Sequence, residues 1–118
     1  MINVTTILLI LWAHWVGDFI LQSDYHAVNK SKSNWVLAQH VAWYTLPFWI
    51  IALFIPVTIG WILGNAVLHG LTDYVTSRMS SRYWLAEKRH EFFVTIGFDQ
   101  SFHFTCLFLT YWSMVVLG

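Results

Sequence analysis

Three times in 118 residues, a histidine and an aspartate stand four positions apart inside an apolar stretch: His14 with Asp18, His69 with Asp73, and Asp99 with His103. With six histidines and four aspartates in the chain, random placement gives about 0.4 such pairs in either order. Four residues is close to one helical turn, so each pair stacks on one helix face. A buried ionisable group is costly unless it is paired or holds a metal. The fold must therefore either bring these faces together or leave three unrelated polar spots, as snorkelling histidines or aspartates at helix ends.

The rest of the sequence leaves little room for the second option. The chain is 58% hydrophobic and 10% charged, against about 25% charged in a typical soluble domain, and its mean hydropathy is +0.58. This is the composition of an integral membrane protein. Eight Trp and five Tyr fit the aromatic belts at membrane interfaces. The length predicts one domain, residues 1–118. A net charge of zero offers no bulk attraction for nucleic acid. Cys106 is the sole cysteine, so no intrachain disulfide forms. The first apolar segment lacks a basic leader and carries His14 and Asp18, so it reads as a retained span, not a signal peptide.

The expected architecture is all-α, a membrane bundle of four transmembrane helices at about 4–22, 35–54, 57–76 and 92–117. Each is near the ~20 residues that cross a bilayer. Ser33 or Asn34 caps the second helix. Pro56 marks a tight turn near 55–58, because an unbroken helix from 35 to 69 would be about twice a normal span. A basic loop over 78–91 leads into the fourth helix. Gly60 and Gly64 form a GxxxG pattern that permits close helix approach, within the hairpin or between two copies of the chain.

All six Lys and Arg fall in two places: Lys30 and Lys32, then Arg78, Arg82, Lys88 and Arg89. With four spans these loops share one side, which the positive-inside rule makes the cytoplasm, with both termini outside. His14, Asp18, His40, His69, Asp73, Asp99 and His103 then all lie in the cytoplasmic half of the membrane. Neutral imidazole and carboxylate suit Zn²⁺ first, with Mn²⁺ or Fe²⁺ as alternatives, and bundles build such sites from facing helices. Seven donors exceed the three or four protein ligands of one zinc. They suit two ions about 3.5–4 Å apart, or one ion with a carboxylate such as Asp99 left as general base.

Gln22, Asn65 and Gln100 lie on or beside the same faces and are expected to orient ligands by hydrogen bonds, or to bond between helices. His26 and His90 read as solvated loop residues, and Tyr44 as a belt tyrosine one turn after His40. The basic residues read first as topology signals and second as a clamp for a phosphate group.

The run His14-Trp-Val-Gly-Asp18-Phe-Ile-Leu-Gln22 resembles the H-x-x-x-D-F-x-L-Q signature of a bacterial and phage family called domain of unknown function 3307. Lys30-Ser-Lys-Ser, the His40 position, Asn65-x-x-x-His69-x-x-x-Asp73 and Gly97-Phe-Asp99-Gln100-x-x-His103 are similar to it too, so the resemblance spans nearly the whole chain. It implies a membrane protein and supplies no activity. The piece His69-Gly-Leu-Thr-Asp73-Tyr-Val-Thr76 resembles a stretch of a bacterial inner-membrane family named as metal-dependent hydrolases. That likeness lends a hydrolase label by analogy only.

The leading functional expectation is a metal-dependent hydrolase in a bacterial inner membrane, acting on a phosphoester, a lipid among the candidates, at the cytoplasmic leaflet. A metal-ion or proton transporter is the alternative, since intramembrane His and Asp also mark ion pathways. A structural or effector protein of phage or bacterial origin, with metal only holding the bundle together, is the third.

Overall fold

The structure is a computed structural model that describes residues 2–118. Among the described residues it is all-helical: α1 Val4–Trp15, α2 Asp24–Asn29, α3 Asn34–Ile51, α4 Ile59–Leu85 and α5 Arg89–Tyr111. Two π-helical turns, Val16–Ile20 and Trp112–Val116, continue α1 and α5. Four helices begin at a side-chain cap that accepts from a free backbone N–H: Asn3 for α1, Ser23 for α2, Ser33 for α3 and Thr58 for α4. The four long helices form a bundle about 44 Å long, with α4 packed along α5 and α3, and α3 along α1.

Three departures from the expected elements have local causes. The first helix does not run regularly to residue 22. At Val16 it widens into the π turn, where the Leu21 N–H donates to the Val16 carbonyl at 2.9 Å. The expected loop 78–91 is mostly helix. Residues 77–85 contain no Gly or Pro, and α4 continues through Arg78 and Arg82 to Leu85. The turn that remains passes through Glu87 in the left-handed region at φ 58°. The first loop contains α2, which packs against α3. The apolar turn before α4 is satisfied from outside, because Tyr111 donates its hydroxyl proton to the Pro56 carbonyl at 2.8 Å.

The glycine that permits close approach is Gly17, not the Gly60/Gly64 pair. A Cβ on Gly17 would sit 2.5 Å from the Tyr44 carbonyl oxygen of α3. A Cβ on Gly60 would meet the tip of Met114 at 3.2 Å and Thr58 Oγ1 at 4.0 Å, and one on Gly64 nothing within 4 Å. The expected glycine seam inside the hairpin is therefore absent.

Burial is inverted relative to a water-soluble bundle. The interior holds as many polar as apolar side chains, and seven of the eight tryptophans are exposed, Trp61 being the buried one. The apolar core, including Ile10, Phe48, Trp61, Leu107 and Tyr111, fills the half of the bundle that holds the start of α4 and the end of α5. The polar cluster fills the other half. Among the described residues, one helix by length and hydropathy, Arg89–Val116, suffices to cross a membrane, and Val4–Ile20 is apolar but shorter. The expected four spans are not met on that measure. His40 in α3 and Asn65, His69 and Asp73 in α4 dilute hydropathy, although all four point inward.

Candidate metal centre

Each long helix brings its share of the cluster to the same depth. The end of α1 and its π turn carry His14 and Asp18, α3 carries His40, α4 carries His69 and Asp73, and α5 carries Asp99 and His103. None of the seven is more than 7% exposed. The close approach at Gly17 presses the π turn onto α3, which sets Asp18 beside His40.

Four donors converge most tightly. His40 Nε2 lies 3.1 Å from His69 Nε2, 3.1 Å from Asp18 Oδ1 and 3.2 Å from Asp73 Oδ2. His69 Nε2 lies 3.5 Å from Asp18 Oδ1 and 3.3 Å from Asp73 Oδ2. A tetrahedral ion with N and O ligands at about 2.0–2.2 Å has ligand–ligand edges of about 3.3–3.6 Å. The five edges, 3.1–3.5 Å, lie at or just below that figure, so these four residues bring one donor each within metal-binding distance of the others. Stacking holds the His69 ring on both faces, with Tyr44 at 3.7 Å and His103 at 4.1 Å between centroids.

The remaining donors gather on the other oxygen of Asp18. Asp18 Oδ2 lies 3.6 Å from His14 Nε2 and 3.8 Å from His103 Nδ1. His103 Nδ1 is also 3.5 Å from Asp99 Oδ2, and His103 Nε2 is 3.5 Å from Asp73 Oδ1. Neither His103 nitrogen has a hydrogen-bond partner. Gln100 ties this half together: its amide N–H donates at 3.0 Å to Asp18 Oδ2 and to Asp99 Oδ2, and its carbonyl oxygen is 2.8 Å from His14 Nε2. The Tyr44 hydroxyl is 3.0 Å from His14 Nδ1. Thr76 donates to Asp99 Oδ1 at 2.5 Å.

One cation reaches the cluster from outside the bundle. The Lys30 ammonium donates to Asp73 Oδ2 at 3.0 Å. Burial by itself would lower the Lys30 pKa, but the charges of Asp73 and Asp18 outweigh it and hold the ammonium above its usual range. Beside Lys30, a cavity of about 480 Å³ runs from the carboxylates of Asp18, Asp73 and Asp99, past Ser77 and Ser80, to Trp84 and Phe92. Its floor is polar and its far end apolar.

Residues 4–118 match the family described as protein of unknown function (DUF3307). The chain belongs to the DUF3307 family. No curated protein and no solved structure matches it. The chemistry of this DUF3307 chain is therefore read from its own residues.

In this DUF3307 chain the three helpers expected from the sequence have different fates. Gln100 sits at the centre of the cluster. Gln22 lines the cavity, its carbonyl oxygen buried without a protein partner. Asn65 does not orient a ligand. Its amide donates to the Trp61 carbonyl and to Thr110 Oγ1, within the apolar half. Tyr44 is not a belt residue, being 1% exposed and against two of the histidines. His26 is not simply solvated, because it bonds Ser23 and Gln39 and so pins α2 to α3. His90 is exposed. Sequence reasoning also underweighted Lys30 and missed Thr76. Thr76 stands three residues after Asp73, a helical spacing that signals a shared face. Nothing local marks Lys30 apart from the other loop cations.

Proposed function

We propose that the protein is a membrane-embedded, metal-dependent hydrolase of a phosphoester, with a membrane lipid as the favoured substrate. The observation that carries the reading is the four-donor set of His40, His69, Asp18 and Asp73, whose two carboxylates line the polar end of a cavity that Lys30 and Lys32 also line. The N₂O₂ donor set suits zinc first, with manganese or iron as alternatives. A bound ion would supply a water acidic enough to attack near neutral pH. Asp99, held at both oxygens by Thr76 and Gln100, is the residue placed to take that water's proton. Lys30 and Lys32 would hold the phosphate, and the apolar stretch at Trp84 and Phe92 an attached apolar group.

The membrane setting is part of the proposal. α1 with its π turn, α3, the first two-thirds of α4, and α5 each approach the length of a span. Large exposed apolar side chains cover all four, as a lipid-facing surface requires. The basic residues at the ends of these helices support a cavity mouth at the cytoplasmic leaflet of a bacterial inner membrane.

The transporter alternative meets a physical obstacle. Beneath the cluster, Ile10, Phe48, Trp61 and Leu107 are buried and in contact, a mainly apolar packing that opposes an ion path to the opposite side. A purely structural metal would need only the four-donor set, and leaves Asp99, His103 and the cavity without a role.

The test is elemental analysis of the detergent-purified chain, with assays on phospholipid vesicles and on water-soluble phosphomonoesters and diesters. Bound transition metal, and hydrolysis that stops on chelation and returns with metal, is the expected result. Protein that binds no transition metal would sink the proposal. Metal or proton flux in proteoliposomes without hydrolysis would establish the transporter instead.

A further inference from the structure

We infer that the centre holds a second cation, at His14 Nε2, Asp18 Oδ2 and His103 Nδ1, bridged to the first by the Asp18 carboxylate, and that this second position is the reactive one. The inference rests on the metal reading of the site above, and not on the identity of the substrate.

The first position uses four protein donors. A four-donor set is closed, as in structural zinc sites, whereas catalytic ions keep three protein ligands and one open position. Chemistry at the first position would need one of its own ligands to leave. The Gln100 amide bridges His14 Nε2 and Asp18 Oδ2 and would swing aside for an ion at the second position, which has three donors, with edges of 3.6 and 3.8 Å around Asp18 Oδ2. These are wider than at the first position, as suits a site with room for water and substrate. Asp99, 3.5 Å from His103 Nδ1, stands beside it and remains available as a base.

Three further features point the same way. His103 is 2% exposed, yet both of its ring nitrogens lack a hydrogen-bond partner. A buried imidazole in that state is costly, and an ion on Nδ1 removes the cost at that atom. His14 turns Nε2 toward the second position, where it meets the Gln100 carbonyl oxygen at 2.8 Å, while Nδ1 lies 3.0 Å from the Tyr44 hydroxyl. With metal on Nε2, the Nδ1–H donates to Tyr44, the outer hydrogen bond that fixes a ligating histidine. Asp18 divides its oxygens between the two groups, Oδ1 facing His40 and His69, and Oδ2 facing His14 and His103. A carboxylate used this way spans ions about 3.5–4 Å apart, the usual two-metal spacing.

Charge supplies the functional consequence. Three buried carboxylates against the single Lys30 ammonium leave two net negative charges, with the imidazoles neutral. One divalent ion cancels these and leaves no attraction for an anionic substrate. A second divalent ion makes the loaded centre positive by two, which draws in a phosphate and can stabilise both the attacking and the leaving oxygen.

The experiment is a metal titration of the full-length chain in detergent, with Zn²⁺ content read by elemental analysis and Mn²⁺ loading read by electron paramagnetic resonance. Two ions per chain, with a spin-coupled Mn²⁺ pair, is the expected result. His103→Gln and His14→Gln should each reduce the content to one ion and abolish the coupled signal. One ion per chain at saturation, with an uncoupled signal, would overturn the inference. The unsubstituted protein decides this alone, so misfolding of a variant does not leave the question open. Two coupled ions without hydrolysis would reject the hydrolase reading, and with it the reactive role of the second position, but keep the second cation; hydrolysis with a single ion would do the reverse.

Discussion

The Nε2 atoms of His40 and His69 lie 3.1 Å apart, and both face the same two carboxylate oxygens, Asp18 Oδ1 and Asp73 Oδ2. Two imidazoles and two carboxylates from the π turn after α1, from α3 and from α4 thus converge on one point. A hydrogen bond between the rings would satisfy one nitrogen of each, but would leave the carboxylates crowded. A cation at the centre satisfies all four. Replacing His40 or His69 with Ala should therefore weaken metal affinity by more than about 100-fold, beyond the 10–100-fold cost of losing an outer partner. Competition against a chelator of known affinity measures this, and an unchanged affinity in both variants would exclude the four-donor site.

Tyr44 acts on the centre from outside the four-donor set. Its ring stacks on His69 and its hydroxyl meets His14 Nδ1. Tyr44→Phe keeps the ring and deletes the hydroxyl, so the fold should survive while metal affinity or activity falls about 10–100-fold. Circular dichroism and a metal titration on the same sample separate the two effects. Equal affinity in Tyr44→Phe and the parent would show that the hydroxyl does not orient His14.

Lys30 matters most when no metal is bound. Among the described residues it is the ammonium in contact with Asp73, and removing it leaves that carboxylate with imidazole partners alone. Lys30→Met should destabilise the metal-free protein by roughly 3 kcal/mol, the low end for breaking a buried pair because the lysine is partly exposed. The loss should shrink once metal is loaded. The Lys30 pKa is raised on folding, so its contribution is complete below the unfolded value of about 10.4 and fades only above it. The difference in melting temperature between the two proteins, measured with chelator, should be flat from about pH 6 to 9. A difference that vanished within that range would contradict the pairing.

Gly17 sets the position of Asp18 through the backbone. A methyl group there would collide with the Tyr44 carbonyl at 2.5 Å, and backbone cannot swing aside as a side-chain tip can. Gly17→Ala should cost about 1–3 kcal/mol and weaken metal binding with it. Gly64→Ala, which meets nothing, should leave both unchanged or improve helix stability by up to about 1 kcal/mol. Chemical denaturation of the pair of variants checks the contrast.

Much of the site was legible along the chain because helices impose a period. His14/Asp18, His69/Asp73 and Asp99/His103 announce themselves by a four-residue spacing, and His40 by its depth in an apolar helix. Tyr44 and Thr76 obey the same period relative to His40 and Asp73, but tyrosine and threonine have bland roles at membrane helices that mask the signal. Asn65 shows the converse failure. It shares a face with His69 but sits one turn further into the apolar half, where Thr110 and the Trp61 carbonyl take its amide. The length of α4 was missed because Ser77 and Ser80 face inward, so the polar stretch over 77–85 looked like a loop.

Local sequence alone determined that this chain is helical, that its polar residues lie on the inner faces of those helices, and which seven side chains bring donor atoms to the cluster. Those follow from turn spacing and from the cost of burying charge. Tertiary structure decided how the donors divide. Which oxygen of Asp18 faces His40 and which faces His103, where Gln100 enters, and that Lys30 reaches in from a loop all depend on the angle at which the π turn meets α3 and on the register of α4 against α5. Helical periodicity fixes positions along a helix, whereas coordination depends on distances between helices, which no single segment encodes.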